Sequence, residues 1–127
     1  MTYTKQSLFD LVAAHLIKQG RKSVEHPHFP ESDMLQGSCM YRSPDGLKCA
    51  AGALIADEHY SPALEFCIVG TEEVDEALRK SGVPHAMLGL VRALQFVHDK
   101  HPPCEWRGAL SRCAGVYGLT FNAEAKQ

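Results

Sequence analysis

Glycine and proline cut this chain into pieces of helical length, and that punctuation limits its fold more than any other feature. Between the breaks, apolar residues recur every three or four positions, the spacing of one helix face rather than the alternation of a strand. Thr4 to Gln19 puts Phe9, Val12, Ala13, Leu16 and Ile17 on one side and stops at Gly20. Thr71 caps a predicted helix from Glu72 to Lys80, closed by Gly82. Pro84 opens the strongest pattern, running to Lys100, with Met87, Val91, Leu94 and His98 on a stripe and Leu88, Leu90 and Val97 beside it; Pro102-Pro103 ends it. A last helix is expected from Cys104 to Tyr117, where Trp106, Leu110, Cys113 and Tyr117 align. Ser61-Pro62 opens a shorter turn through Phe66.

One stretch departs from this period. Cys39-Met40-Tyr41-Arg42 and Leu47-Lys48-Cys49-Ala50 read as two short strands around Ser43-Pro44-Asp45-Gly46, a pairing that sets Arg42 opposite Leu47 and Met40 opposite Cys49. Ala50 to Ala56 is then a short helix of very small residues, which implies close approach of another backbone. Residues 21–38, with His26-Pro27-His28-Phe29-Pro30, suit a long surface loop, and 119–127 a frayed tail in which Leu119 and Phe121 alone could pack. The expectation is a mainly α fold: a small bundle of four to five helices with one short β-hairpin, in a single domain of 127 residues.

The net charge of −2 is a poor footprint for a nucleic-acid binder. It hides a polarised chain. From Cys49 to Leu78 there are seven acids (Asp57, Glu58, Glu65, Glu72, Glu73, Asp75, Glu76) and no Lys or Arg, whereas Arg79 to Gln127 is net basic. The run at Glu72 to Glu76 fits a helix start, where the macrodipole favours anions, and it also offers an acidic patch to a basic protein surface. No apolar run reaches the length of a membrane span, and the first ten residues lack a basic segment followed by an apolar stretch; both point to the cytoplasm.

Of five cysteines, none falls in the paired spacing of a zinc knuckle, and reduced thiols behaving as small hydrophobes are expected for Cys67 and Cys113. Cys49 differs: it comes off the predicted hairpin at a helix N-terminus beside Lys48, a setting that stabilises a thiolate. A nucleophile would draw its base from His59, His85, His98 or His101. Neighbouring side chains on a helix diverge by about 100°, so Asp99 is not expected to orient His98, which reads better as a core histidine. A zinc site could gather Cys39, Cys49 and His59, although the spacing does not favour it. No cofactor-binding motif occurs, and Cys49 with Tyr41 reads most simply as core.

The run Cys39-x-Tyr41-Arg42-x3-Gly46-x-Lys48-Cys49-Ala50-x-Gly52-x-Leu54-Ile55-x-Asp57-x2-Tyr60, with Leu94-Gln95-x2-His98-Asp99 further on, resembles a group of small uncharacterised proteins of bacteriophages and prophage regions. The likeness covers roughly a quarter of the chain. It implies an accessory protein of a mobile element that occupies a host protein's surface, as an inhibitor of a bacterial defence system such as an anti-CRISPR does. The expected contacts are Glu72, Glu73, Asp75 and Glu76, with Asp57 and Glu58 beside them, and the hairpin residues Tyr41, Arg42 and Lys48. A thiol-dependent enzyme built on Cys49 is the alternative, and a small zinc-binding structural domain the next. A basic C-terminal face with Arg92, Arg107 and Arg112 is a further candidate surface, for nucleic acid.

Overall fold

The computed structural model describes residues 3–23, 40–43 and 46–121. It is mainly helical, with α1 Lys5–Gln19, α2 Ala50–Leu54, α3 Glu72–Lys80, α4 Leu88–Lys100 and α5 Trp106–Val116, linked by 3-10 turns at Asp57–His59, Pro62–Phe66, His85–Met87 and Pro103–Glu105. Among the described residues no helix is long and apolar enough to cross a membrane.

The helix ends follow from local chemistry. Thr4 Oγ1 accepts the Ser7 N–H at 3.0 Å while Ser7 Oγ accepts the Thr4 N–H at 2.9 Å, a reciprocal cap that satisfies two amides. Gly20 adopts the left-handed φ of 67° and returns its N–H to Leu16, closing α1. The helices expected to open at Pro84 and Cys104 begin instead at Leu88 and Trp106. Pro84 and Pro102 are extended, and the turn after each closes with a tight i to i+3 bond, Met87 to Pro84 and Glu105 to Pro102.

The helix α4 is the spine of the core. Its Leu88, Leu90, Val91, Leu94, Val97 and His98 are buried, as are Leu8, Phe9, Val12, Ala13 and Leu16 of α1 and Trp106, Ala109, Leu110, Cys113 and Ala114 of α5. Both helices pack on α4 and on each other, and α2 packs on α4 and α1. Gly52 lets α2 approach so closely: a Cβ there would overlap the Tyr41 carbonyl oxygen. The expected tail is docked as far as it is described, because Thr120 exchanges backbone bonds with the Gln6 amide (2.9 and 3.0 Å) and Phe121 meets Phe9 edge-on at 5.6 Å. Residues 122–127 and 24–38 of the expected tail and loop lie outside the described residues.

The predicted hairpin does not form. Among the described residues there is no strand; in this segment one isolated antiparallel bridge pairs Arg42 with Lys48 rather than with Leu47. Ser43 N–H donates to Leu47 (2.9 Å) and Cys49 N–H to Tyr41 (3.3 Å), and the pairing goes no further. The cause is competition for backbone groups. The N–H groups of Tyr41 and Arg42 donate to the Glu65 carboxylate, at 2.9 and 3.1 Å, and Cys49 already serves as the N-cap of α2.

Candidate functional site

The distinctive segment folds into a knot around Glu65. One carboxylate oxygen takes the Tyr41 N–H; the other takes the Arg42 N–H and, at 2.6 Å, the Tyr60 hydroxyl. The Arg42 guanidinium stacks over the Tyr60 ring at 4.5 Å, donates to the Ile55 carbonyl and pairs with Asp57, both at 2.8 Å. Its Nε is buried with no partner among the described residues. The Tyr41 hydroxyl donates to the Cys67 carbonyl at 2.6 Å. Burial, then the nearby Glu65 carboxylate, pushes Tyr60 up to about 12; burial, then Cys49 and Glu65, raises Tyr41 as well. Tyr41, expected both as core and as a hairpin contact, is buried, which fits the core reading and not the contact, and Arg42 is mostly engaged within the fold. Lys48 is half-buried, its backbone gripped by α1: His15 and Gln19 donate to its carbonyl at 2.9 Å and Gln19 Oε1 accepts its N–H.

Cys49 occupies the predicted helix start and has the core character of its simplest reading rather than that of a reactive thiol. Its Sγ caps α2, accepting the Gly52 N–H at 3.4 Å, but the residue is wholly buried, and desolvation outweighs that bond and lifts the thiol to about 12. His98 is also wholly buried. Its Nε2 accepts the Ser23 N–H at 2.9 Å, its Nδ1–H donates to Asp99 at 2.7 Å, and its ring stacks on Trp106. Contrary to expectation, Asp99 does orient its neighbour; a carboxylate at the end of its side chain can swing back even where the Cβ directions diverge. Gln95 links this group to α2, accepting the Ala51 N–H at 2.9 Å and donating to Asp99 at 3.0 Å.

The other chemistry-bearing residues are scattered. His59 lies 3.7 Å from Glu58, and His101 pairs with Glu105 at 3.5 Å. Among the described residues no three His, Cys, Asp or Glu side chains gather as a metal ion would require. Cys39 lies outside the described residues.

The acidic helix α3 is where charge meets solvent. Glu72, Glu73 and Glu76 are exposed, and Glu72, Asp75 and Glu76 line an open groove of about 360 Å³ with Gly70, Arg79, His85 and Leu88. Asp75 is half-buried and accepts the Gly70 N–H, and Glu76 pairs with Lys80 at 3.2 Å. Asp57 and Glu58 are exposed but sit near the opposite end of α3, since the adjoining Ala56 N–H donates to Ser81, the C-cap. About 12 Å of helix separates the two acidic groups. Arg92, Arg107 and Arg112 are all exposed.

Sequence reasoning missed Glu65, Ser23 and Gln95, which tie the segment together. Only Gln95 carried a hint, lying one turn before Asp99 on a helix. Comparison with family models, with curated proteins and with solved structures gives no match for this chain.

Proposed function

We propose that the chain is a non-enzymatic accessory protein of a phage or other mobile element that binds a host-cell protein through a basic surface and blocks it, as an inhibitor of a bacterial defence system such as an anti-CRISPR would. One observation carries the reading. The favoured thiol and histidine are used up by the fold, with Cys49 buried as a neutral thiol and both ring nitrogens of His98 engaged. A nucleophile needs exposure, a thiolate and a free base, and this pair has none of the three. The exposed acids of α3 around its groove are a charged feature suited to recognition of a basic surface. The resemblance to phage proteins in the run from Cys39 to Tyr60, with Leu94-Gln95-x2-His98-Asp99, supplies the biological setting; cytosolic action and a basic partner are part of the same proposal.

The test is capture from a bacterial lysate by the wild type and by a Glu72→Lys, Glu73→Lys, Glu76→Lys variant of unchanged circular dichroism. Capture should weaken as salt rises and disappear in the variant. Salt-insensitive capture retained by the variant would refute this surface.

A further inference from the structure

Ser23, just after α1, and His98, near the end of α4, meet where neither has any solvent exposure. Because a backbone N–H can only donate, the 2.9 Å contact from Ser23 assigns the lone pair to His98 Nε2 and the ring proton to Nδ1, which donates to Asp99. Ser23 is itself a three-way junction. Its carbonyl accepts the Met40 N–H at 2.8 Å and its hydroxyl donates to the Leu47 carbonyl at 3.1 Å. One acceptor atom of His98 thus anchors the backbone on both sides of the Tyr41–Arg42 knot.

We propose that His98 is a pH-operated latch: a second proton on its ring releases Ser23, and with it the Met40 and Leu47 backbone, while the helical bundle stays closed. The proton comes from solvent and occupies the Nε2 lone pair. That nitrogen becomes a donor facing a donor, so the buried Ser23 N–H loses its acceptor. The Nδ1–H bond to the Asp99 carboxylate survives and gains a charged donor, becoming an ion pair.

The charged and titratable groups around the ring come from each packed element. On α4 there is Asp99, held also by Gln95; after α1 there is Lys22, whose Nζ donates to the Asp99 carbonyl at 3.0 Å. From α1, His15 lies near enough for its charge and that of His98 to repel, and Tyr41, with Cys49 at the start of α2, lies within reach of the Asp99 charge. From α5, Trp106 covers the ring without adding charge. His15 is the group to separate, because it is the other histidine of this cluster and its own pKa is lowered by burial.

Amide exchange followed by NMR at pH 7.5 and 5.0, corrected for intrinsic rates, with imidazole nitrogen shifts read in parallel, tests the latch. The neutral ring should carry its proton on Nδ1, and protection at Ser23 and Met40 should fall at least tenfold while Leu94 and Leu110 keep theirs. His98→Gln, a neutral acceptor, should abolish the response, and Asp99→Asn should move it to lower pH. A His15→Gln background should leave it in place. A ring proton on Nε2 at pH 7.5, unchanged protection at Ser23 and Met40, uniform loss across the bundle, or loss of the response in His15→Gln would each overturn the proposal. Should His98→Gln fail to fold, the displacement in Asp99→Asn decides.

Discussion

Gly52→Ala should be among the most damaging single-methyl additions possible in this protein. By propensity alone the change favours a helix by about 1 kcal/mol, and α2 is helical at that position. The packing reverses the sign. The new Cβ would overlap the Tyr41 carbonyl oxygen and stand 2.8 Å from its carbonyl carbon and 3.1 Å from its Cα, all of them backbone atoms that no rotamer change can move. Relief to ordinary contact distance needs a displacement of about 1.4 Å. Tyr41 is fixed at three points, through Cys49 N–H at its carbonyl, Glu65 at its amide and Cys67 at its hydroxyl. Overpacking costs about 1–3 kcal/mol, and loosening a bond to a charged group adds about 1.5–3. Less the propensity gain, a net loss of about 1.5–5 kcal/mol is expected against a typical domain stability of about 5–15. Urea titration of wild type and variant gives the number. Gly115→Ala is the control: it too lies in a helix, nothing stands within 4 Å of its added Cβ, and it should gain about 0.5–1 kcal/mol. A Gly52→Ala protein as stable as wild type would refute the close contact between α2 and Tyr41.

Two further outcomes follow from the buried acids of the knot. In the native protein at pH 8, iodoacetamide should label exposed Cys104 and leave Cys49 unmodified until urea unfolds the chain, as peptide mass spectrometry would show; fast native labelling of Cys49 would revive the thiol-enzyme reading. Tyr60 and Cys49 have folded pKa values raised to about 12, and Tyr41 is raised too, so each binds its proton more tightly when folded. Their stabilising contribution is complete below the unfolded values, 10.0 for tyrosine and 9.0 for cysteine, and is lost as pH rises through the folded ones. Urea midpoints should therefore fall between pH 9 and 12, and less steeply in Tyr60→Phe; a flat alkaline limb would contradict the burial of these groups.

The helices were legible because their signals are local. Apolar spacing and Gly or Pro breaks act within a few residues of where they stand; α1 and α3 appear where that grammar puts them, and α4 and α5 lie within its bounds but start later, after a 3-10 turn. The hairpin failed because its competitor was remote. The carboxylate that captures the Tyr41 and Arg42 amides belongs to Glu65, 24 and 23 positions along the chain, and nothing around Glu65 distinguishes it from the other acids of its block. The Cys49 reading divides in the same way. Its position at a helix start is a local property, but its reactivity depends on burial contributed by the whole bundle. Desolvation can raise a thiol by several units, more than one amide and a five-residue helix recover.

That block of seven acids changes meaning once each carboxylate is placed. Glu65 is internal to the knot, Asp57 is paired with Arg42, Asp75 accepts the Gly70 amide and Glu76 is paired with Lys80. Glu58 stands 3.7 Å from His59, near the far end of α3. Glu72 and Glu73 are exposed in the first turn of α3, with no ion pair among the described residues. An exposed i,i+4 pair such as Glu76–Lys80 is worth only about 0.3–0.5 kcal/mol, yet a partner's cation must compete with that lysine for Glu76, whereas Glu72 and Glu73 meet it unopposed. Glu72→Lys with Glu73→Lys should therefore abolish capture as fully as the triple variant, and Glu76→Lys alone should weaken it least, measured as dissociation constants at low salt. The opposite ranking would place recognition in the second turn of α3, centred on Glu76, rather than at its N-terminal face.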